Sequence, residues 1–155
     1  MPVESPDPRY AGGCQCGAVR YLLTAEPKAT NICHCRMCQK AGGAPFMAFA
    51  GVKNADLTFT RGAPAKYASS EIAERGFCAA CGTPLTYQMV GSHRISVTIG
   101  SLDDPASQTP TEQLGVEARL PWLAALALPE QRTEDWLRKA EIDDVGSHQH
   151  PDYDI

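Results

Sequence analysis

Seven cysteines in three short clusters constrain this 155-residue chain more than any other feature. The outer clusters are the pairs Cys14/Cys16 and Cys78/Cys81, and the central cluster has three cysteines within residues 33–38. Because seven is an odd number, the cysteines cannot all pair in disulfides within one chain. We therefore predict that the clusters hold metal ions, as clustered cysteines usually do in a compartment where thiols stay reduced.

Length and composition are those of one ordinary globular domain. A hydrophobic fraction of 43% and a charged fraction of 21% are typical of soluble proteins that bury a core. The net charge of −4, without a dense run of Lys or Arg, argues against nucleic acid or an anionic membrane as the partner. No apolar stretch reaches the roughly 18 residues of a membrane span, and the polar start lacks the order of a signal peptide. We expect a cytoplasmic protein, and the composition leaves a homo-oligomer open.

Short strand-like runs separated by glycine and proline dominate the first two thirds of the chain. They recur every 8–12 residues or so, which is typical of an antiparallel β domain rather than of βαβ units. The predicted strands are residues 18–24, 30–32, 46–52, 56–60, 66–68, 73–77, 84–89 and 94–99. We predict a mainly β fold of small antiparallel sheets stapled by zinc. Short helical turns are expected at the central cysteine cluster and near the C-terminus, within residues 120–128 and 133–137.

Three segments make up the predicted domain organisation. Residues 1–9 are expected to form a loose N-terminal arm, because they are rich in proline and poor in apolar side chains. Residues 10–140 form a single zinc-binding domain, in which residues 101–115 are predicted to be a loop. Residues 141–155 are polar and acidic, and we expect a tail there.

The two outer cysteine pairs share a design, because a glycine directly follows the second cysteine of each. Glycine accepts backbone conformations that let amide N–H groups approach the sulfurs of a metal thiolate site. If the two pairs share one zinc ion, four thiolates complete its tetrahedral coordination and the site is structural. Such a site has an apparent binding energy of about 10–16 kcal/mol, comparable with the whole net stability of a domain.

The central run, Cys-His-Cys-Arg-Met-Cys, offers three thiols, which leave one position of a tetrahedral metal for water, an incoming thiol or a remote histidine. Cys35 and Cys38 are three residues apart, so one helical turn would place them on the same face, with Cys33 at its entrance. A helix N-terminus also favours thiolate over thiol. Three thiolates on Zn²⁺ leave a net charge of −1. The residues that could offset this charge are Arg36, Lys40 and a strand arginine such as Arg75.

Several residues have competing interpretations. The central cluster could be a second structural site closed by His93 or a tail histidine, or a redox-sensitive trio that forms a disulfide when metal is lost. His34 lies between two ligands, so it is poorly placed to bind the same ion, although a general acid or base role is open to it. His148 and His150 could bind metal, but their polar surroundings favour solvated side chains.

One apolar motif and one acidic motif also allow a functional interpretation. Phe46 and Phe49 could line a substrate pocket, but the burial preference of aromatic residues favours the core. Asp103 and Asp104 could act as an acid or a base, but the following Pro105 favours a turn.

Four motifs occur together in a recognisable order. They are GGCQCGAVRY at residues 12–21, CxCxxC at 33–38 with Phe46 downstream, FCxxCGTPL at 77–85 and GSLDDP at 100–105. Over residues 10–125 the series resembles the glutathione-dependent formaldehyde-activating enzyme family, also called the centromere protein V domain family. Gln113 departs from the pattern, since relatives often have a histidine there, ahead of the Arg119 to Trp122 region. Substrate choice could differ accordingly.

The resemblance implies a zinc-bearing, mainly β fold with two zinc ions per chain. A structural zinc would be bound by the outer pairs, Cys14, Cys16, Cys78 and Cys81. A second, open and catalytic zinc would be bound by Cys33, Cys35 and Cys38. The activity that names the family joins formaldehyde to glutathione, giving S-hydroxymethylglutathione, and is classed with the carbon–sulfur lyases.

We therefore hypothesise a zinc-dependent carbon–sulfur lyase-type enzyme acting on a glutathione adduct of formaldehyde or another small aldehyde. Zinc would lower the pKa of the thiol and hold the thiolate beside the electrophilic carbon. One alternative is a carrier that binds glutathione or its adduct without catalysis, since the adduct forms spontaneously. Another is a zinc-stabilised protein-interaction domain, although such relatives usually carry a basic extension that this acidic chain lacks.

Overall fold

A computed structural model describes residues 10–152, and the predicted N-terminal arm lies outside them. The strands in this part of the chain are β1 (Ala11–Gly13), β2 (Arg20–Leu23), β3 (Ala29–Cys33), β4 (Met47–Lys53), β5 (Leu57–Arg61), β6 (Ala65–Ser70), β7 (Ala73–Phe77), β8 (Pro84–Met89), β9 (Arg94–Thr98) and β10 (Glu112–Leu114). The α-helices are α1 (Arg36–Gly42) and α2 (Thr133–Lys139). Turns of 3-10 helix lie at Asn54–Asp56, Ile99–Ser101, Pro105–Ser107, Val116–Ala118 and Pro121–Ala125. The mainly β prediction is confirmed.

The strands form two sheets. A three-stranded antiparallel sheet has the order β1–β2–β5, and a seven-stranded sheet has the order β10–β3–β4–β9–β8–β7–β6. Within the described residues, neighbouring strands of the larger sheet pair antiparallel, except that β10 pairs parallel with β3. Neither helix in the described part of the chain has the length and apolar character of a membrane-spanning segment.

The pleat of the larger sheet gives its two faces different neighbours. Successive side chains of a strand point to opposite faces, so Ala50 and Val52 share one face of β4, and Met47 and Phe49 share the other. The first pair belongs to the main core, which also contains Tyr21 of the smaller sheet. The second pair belongs to a smaller apolar cluster that contains Cys38 and packs against Cys33, Cys35, Ala41 and Tyr87. The central cysteines therefore lie on the face away from the main core.

A buried ion pair ties the smaller sheet to the segment after β9. Arg20 donates two hydrogen bonds to the Asp103 carboxylate, at 2.8 and 2.5 Å, and the two side chains are only 3% and 4% exposed. Tyr21, on the next position of β2, shares a 2.7 Å hydrogen bond with the Ser101 hydroxyl. The Asp103-Asp104 motif precedes the turn at Pro105–Ser107, as predicted, but Asp103 has in addition a structural role that the sequence pattern does not reveal.

The differences from the predicted elements concern short segments. The predicted loop at residues 101–115 contains β10, whose side chains are exposed and carry no alternating pattern, so its strand conformation comes from pairing with β3. The expected turn at residues 133–137 is the start of α2, which begins after Arg132 without a side-chain cap. Residues 141–152 are mostly exposed, yet the His150 amide donates to the Gln15 carbonyl at 2.7 Å.

Candidate metal centres

The outer cysteine pairs meet in one cluster of four thiols. The Sγ atoms of Cys14, Cys16, Cys78 and Cys81 all lie within 4.8 Å of one another. Cys16 Sγ lies 3.6 Å from Cys14 Sγ and 3.9 Å from Cys78 Sγ. A tetrahedral zinc with Zn–S bonds of about 2.3 Å requires sulfur–sulfur distances of about 3.8 Å. The cluster therefore fits a tetrahedral ion, and we call it the closed cluster.

Two similar turns build the closed cluster. Gly17 and Gly82 have φ values of 78° and 80°, a left-handed conformation that side chains resist. Each glycine amide donates to the carbonyl of the first cysteine of its pair, at 3.1 and 2.8 Å. In the first turn the Val19 amide also donates to Cys14 Sγ at 3.2 Å. The glycines that follow the cysteines thus have the conformational role that their position predicts.

The thiols of the closed cluster differ in acidity. Burial works against ionisation of Cys81, but the hydroxyl and amide of Thr83 and the neighbouring Cys16 lower its pKa to about 6. The Ala18 amide lowers the pKa of Cys16, yet the nearby thiols of the cluster raise it overall to about 11. Metal binding needs thiolates, so an incoming ion must displace a proton from Cys16 at neutral pH.

The central cysteines form a second cluster, here called the open cluster. Cys33 ends β3, Cys35 is the N-cap of α1, and Cys38 lies in the first turn of α1. Their Sγ atoms lie within 4.8 Å of one another, and the Cys38 amide donates to Cys35 Sγ at 3.4 Å. Among residues 10–152, no histidine or carboxylate joins this group of donors. The open cluster thus has three of the four ligands of a tetrahedral ion.

Arg75 of β7 supplies the positive charge beside the open cluster. Its side chain is buried, and Nη2 lies 3.4 Å from Cys38 Sγ. Nε donates to the Ser69 hydroxyl at 2.8 Å, and the guanidinium lies 5.0 Å from the centroid of the Tyr87 ring. Of the cations suggested by the sequence, Arg36 instead donates to Gln39 of its own helix. A fixed guanidinium next to Cys38 suits a cluster that carries negative charge when it binds metal.

The thiols of the open cluster also differ in acidity. Burial raises the pKa of the Cys38 thiol to about 12, although Arg75 opposes this increase. Burial also acts on Cys35, but the amides of Met37 and Cys38 and the adjacent thiols outweigh it and lower the Cys35 pKa. Without metal, the cluster therefore keeps a proton on its most buried thiol.

A cavity of about 170 Å³ opens directly onto the open cluster. It is lined by Asn31, Cys33, Cys35, Met37, Cys38, Phe49, Ser69, Ser70, Arg75, Tyr87, Ser96 and Leu114. Phe49, expected in the core, is indeed 4% exposed, but it also forms a wall of this cavity. A small molecule in the cavity would lie next to the three sulfurs.

His34 is held away from the thiol donors by its own partners. Its imidazole is 3% exposed and packs against the Phe46 ring, with 5.7 Å between the centroids. The Nε2–H group donates to Gln113 Oε1 at 2.8 Å. Gln113, the residue that departs from the family pattern, thus fixes the histidine that lies between two cysteines of the open cluster.

The segment at residues 112–118 supports the open cluster from far along the chain. The His34 amide donates to the Leu114 carbonyl at 2.9 Å, and Gln39 Nε2 donates to the carbonyls of His34 and Ala118. Gly115 has φ of 61°, and a Cβ there would lie 2.8 Å from the Cys35 amide nitrogen. Sequence reasoning missed this support, although a glycine ending a polar segment was a visible signal.

The other candidate histidines lie elsewhere. His93 lines a surface depression with Lys53 and Arg94, and its carbonyl accepts from the Asn54 amide. His150 lies against Gly17, where an added Cβ would come within 2.4 Å of its Nδ1 atom. Neither residue, nor the exposed His148, joins the donors of the open cluster.

The fold and the two clusters define a small mainly β protein with one four-thiol and one three-thiol group that could hold metal ions. The model of the glutathione-dependent formaldehyde-activating enzyme family matches residues 9–117. The chain belongs to this family, which confirms the resemblance found in the sequence.

The chain is also similar to individual proteins. An uncharacterised lyase of Schizosaccharomyces pombe is 38% identical over 80 residues, which are 52% of this chain and 58% of the relative. The match thus spans little more than half the length of that curated protein. A crystal structure of a Rhodobacter sphaeroides protein aligns with a TM-score of 0.51 at 23% identity, covering 66% of this chain and 98% of that one. At that identity the likeness concerns the fold alone.

Proposed function

We propose that this protein is a zinc-dependent carbon–sulfur lyase-type enzyme that acts on the glutathione adduct of formaldehyde or of another small aldehyde. The observation that carries the proposal is a three-thiol cluster that opens into a cavity of about 170 Å³. Membership of the family, whose name states glutathione and formaldehyde, supports it. The relative from Schizosaccharomyces pombe, named as a lyase, supports the reaction class.

The chemistry of the donors favours zinc at both clusters. Thiolates are soft ligands that select zinc, copper(I) or iron–sulfur clusters, and four of them around one ion form a closed structural site. In the open cluster, Cys33, Cys35 and Cys38 would hold a second zinc. When bound there, zinc would lower the pKa of a substrate thiol and stabilise the thiolate that leaves on carbon–sulfur cleavage.

The remaining cavity residues would position the adduct. Arg75 holds Cys38 in place and offsets negative charge at the cluster, because its guanidinium is anchored by Ser69 and Tyr87. Phe49 and Tyr87 supply an apolar wall that limits water around the reacting carbon. This enzyme would act in the cytoplasm, where thiols are kept reduced.

Replacing one thiol of the open cluster tests the proposal. Cys35→Ala should give a folded protein that keeps one zinc per chain and has lost thiol-dependent activity. Lys40→Ala, an exposed change on the same helix, should keep both zinc ions and the activity. Metal analysis, circular dichroism and an adduct-cleavage assay provide the readouts. Loss of both zinc ions together with unfolding of Cys35→Ala would show that the open cluster is structural.

A carrier without catalytic activity is the second candidate, and one observation favours it. The described residues that line the cavity include no Asp, Glu, His or Lys, so apart from the three cysteines Tyr87 is the one side chain among them that could act as a general acid or base. A carrier would bind glutathione or its adduct without changing the rate at which the adduct forms. Exchange NMR on glutathione and formaldehyde, with and without the protein, separates the two functions.

A further inference from the structure

We infer that the site recognises the sulfur and the aldehyde-derived half of its substrate and does not select the body of the thiol. The substrate class is then the adducts of small thiols in general with short, neutral aldehydes, and glutathione is one accepted thiol among several. This inference rests on the proposed binding of a thiol at the open cluster. The evidence for it is the volume of the adjoining cavity, the scarcity of cations among its lining residues and the uncharged polar groups that it contains.

The cavity is too small to enclose a tripeptide. Pockets that bury most of a drug-sized ligand have volumes of about 300–1,000 Å³, whereas this one measures about 170 Å³. That space fits the sulfur and a short carbon–oxygen unit. The rest of a thiol as large as glutathione must lie outside the cavity.

The charged groups of the cavity do not match those of glutathione. Its two carboxylates would require cations, and the only cation among the described lining residues is Arg75. That guanidinium is 5% exposed and already contacts Cys38 Sγ, Met47 Sδ and Ser69 Oγ, at 3.4, 3.6 and 2.8 Å. A carboxylate in the cavity would therefore have to displace existing contacts of Arg75 or remain unpaired, which is costly when it is buried.

Uncharged polar groups in the cavity suit a hydroxyl or carbonyl oxygen. Asn31 of β3 and Ser96 of β9 both line it, and their side chains form no hydrogen bond with another side chain or backbone group in the part of the chain that is described. An unpaired carboxamide and hydroxyl can donate to, and accept from, the oxygen of a hemithioacetal. The rings of Phe49 and Tyr87 also line the cavity and offer apolar surface to a short alkyl substituent.

The reaction for this class is balanced without a further reagent. The adduct R–S–CH(OH)–R′ loses its carbon–sulfur bond, and the sulfur leaves with the bonding electron pair. The hydroxyl proton leaves the oxygen, and the carbon–oxygen single bond becomes the carbonyl of R′–CHO. The thiolate takes up a proton and is released as R–SH, so no oxidant or reductant is needed.

The exposed side chains at the mouth of the cavity are apolar, whereas a site that selects glutathione would need charged groups there. Met37 and Leu114 both line the cavity and are 53% and 44% exposed. Leu114 lies on β10, where its carbonyl, but not its side chain, takes part in supporting the open cluster. A cation introduced at this position would meet the part of the thiol that emerges from the cavity.

A comparison of thiols tests the inference by binding and by turnover. Cobalt(II)-loaded protein is titrated with glutathione, cysteamine and 2-mercaptoethanol, following the thiolate-to-cobalt absorption, and cleavage of their formaldehyde adducts is assayed. After correction for thiol pKa, the affinities and kcat/KM values should agree within about tenfold, because solvent-exposed charges add little to binding. A preference for glutathione above about a hundredfold in binding would overturn the inference.

A variant that introduces a cation sharpens the test. Leu114→Arg should raise the affinity for glutathione relative to cysteamine by about twofold to fivefold, since an exposed ion pair has a modest effect. Leu114→Met keeps the side chain neutral and should leave that ratio as it is. If Leu114→Arg leaves the ratio unchanged, the thiol body does not emerge at this mouth and the inference fails.

The titration of the cobalt-loaded protein with the three thiols also separates this inference from the proposed lyase function. Equal binding of the three thiols without any accelerated cleavage would support the inference and overturn the lyase function alone. Turnover of the glutathione adduct only, with selective glutathione binding, would overturn the inference and leave the lyase function intact. Failure of every thiol to perturb the cobalt spectrum would overturn both.

Discussion

The closed and open clusters are both made of closely spaced thiols, but their surroundings differ. The closed cluster lies between two tight turns and joins the segment before β2 to the turn between β7 and β8. The open cluster lies on one face of the larger sheet, beside a buried arginine and a cavity. A fourth thiol is thus only part of the difference. Tight backbone turns surround the closed cluster, to which we assign a structural role. A cavity that a small molecule could enter adjoins the open cluster, to which we assign the chemistry.

The comparison also explains why the two clusters can coexist in a small domain. The main core lies on the opposite face of the larger sheet from the open cluster. Phe49 and Ala50 are adjacent in sequence, yet the first faces the cavity and the second the core. We therefore expect changes at the open cluster to alter metal and substrate binding with little effect on folding.

The largest expected effect is that of breaking the closed cluster. Cys81→Ala should unfold the domain, because a structural zinc contributes about 10–16 kcal/mol of apparent binding energy and whole domains have a net stability of only about 5–15 kcal/mol. Circular dichroism and thermal denaturation provide the measurement, with Cys35→Ala as the matched variant of the open cluster. A Cys81→Ala protein as stable as Cys35→Ala would remove the distinction between the clusters.

A smaller effect is expected from removing the cation beside the open cluster. Arg75→Met should weaken zinc binding at this cluster by about 10–100-fold, the usual effect of losing a group that supports metal ligands. The closed cluster should keep its zinc. Competition with a chromophoric chelator measures both affinities, and Arg138→Met, at a side chain 78% exposed, is the control. Unchanged affinity in Arg75→Met would mean that its contact with Cys38 does not stabilise the metal site.

A subtler change tests the support from residues 112–118. Gly115→Ala combines a left-handed backbone conformation, which costs about 1–2 kcal/mol for other residues, with a contact of 2.8 Å to the Cys35 amide. Gly91→Ala has the same kind of backbone penalty, with φ of 75° and no atom within 4 Å of the added Cβ. Only Gly115→Ala should weaken zinc binding at the open cluster. Equal behaviour of the two variants in the chelator assay would contradict this.

The smallest predicted effect is a proton release. With a pKa raised to about 12, the Cys38 thiol is protonated at neutral pH in the metal-free protein, so zinc must displace its proton. Zinc should therefore bind the open cluster more tightly as the pH rises from 6 to 8, because protons compete less. Calorimetry in buffers of different ionisation enthalpy measures the number of protons released. A binding enthalpy that is independent of the buffer would contradict the prediction.

The sequence predicted the features that depend on local spacing. The helical turn with Cys35 and Cys38 on one face, the left-handed glycines after Cys16 and Cys81, and the mainly β character all follow from neighbouring residues. Family membership followed because the motifs extend over most of the domain.

Features that depend on distant pairing were not predictable in the same way. β10 is exposed and three residues long, and only its pairing with β3 makes it a strand. Likewise, three cations were candidates for the open cluster, and only the register of β7 in the sheet brings Arg75 to Cys38. The hydrogen bond between His34 and Gln113 joins residues 79 positions apart, so neither residue type nor spacing reveals it.

The sulfur coordination of the zinc-loaded protein tests the central claim most directly. X-ray absorption at the zinc edge reports the mean number of sulfur ligands, and the two clusters offer four and three thiols. With both sites filled, the mean should be three and a half sulfurs per zinc, and it should rise to four when a thiol substrate is added. A mean that does not change on addition of thiol would contradict an open metal site that binds the substrate sulfur.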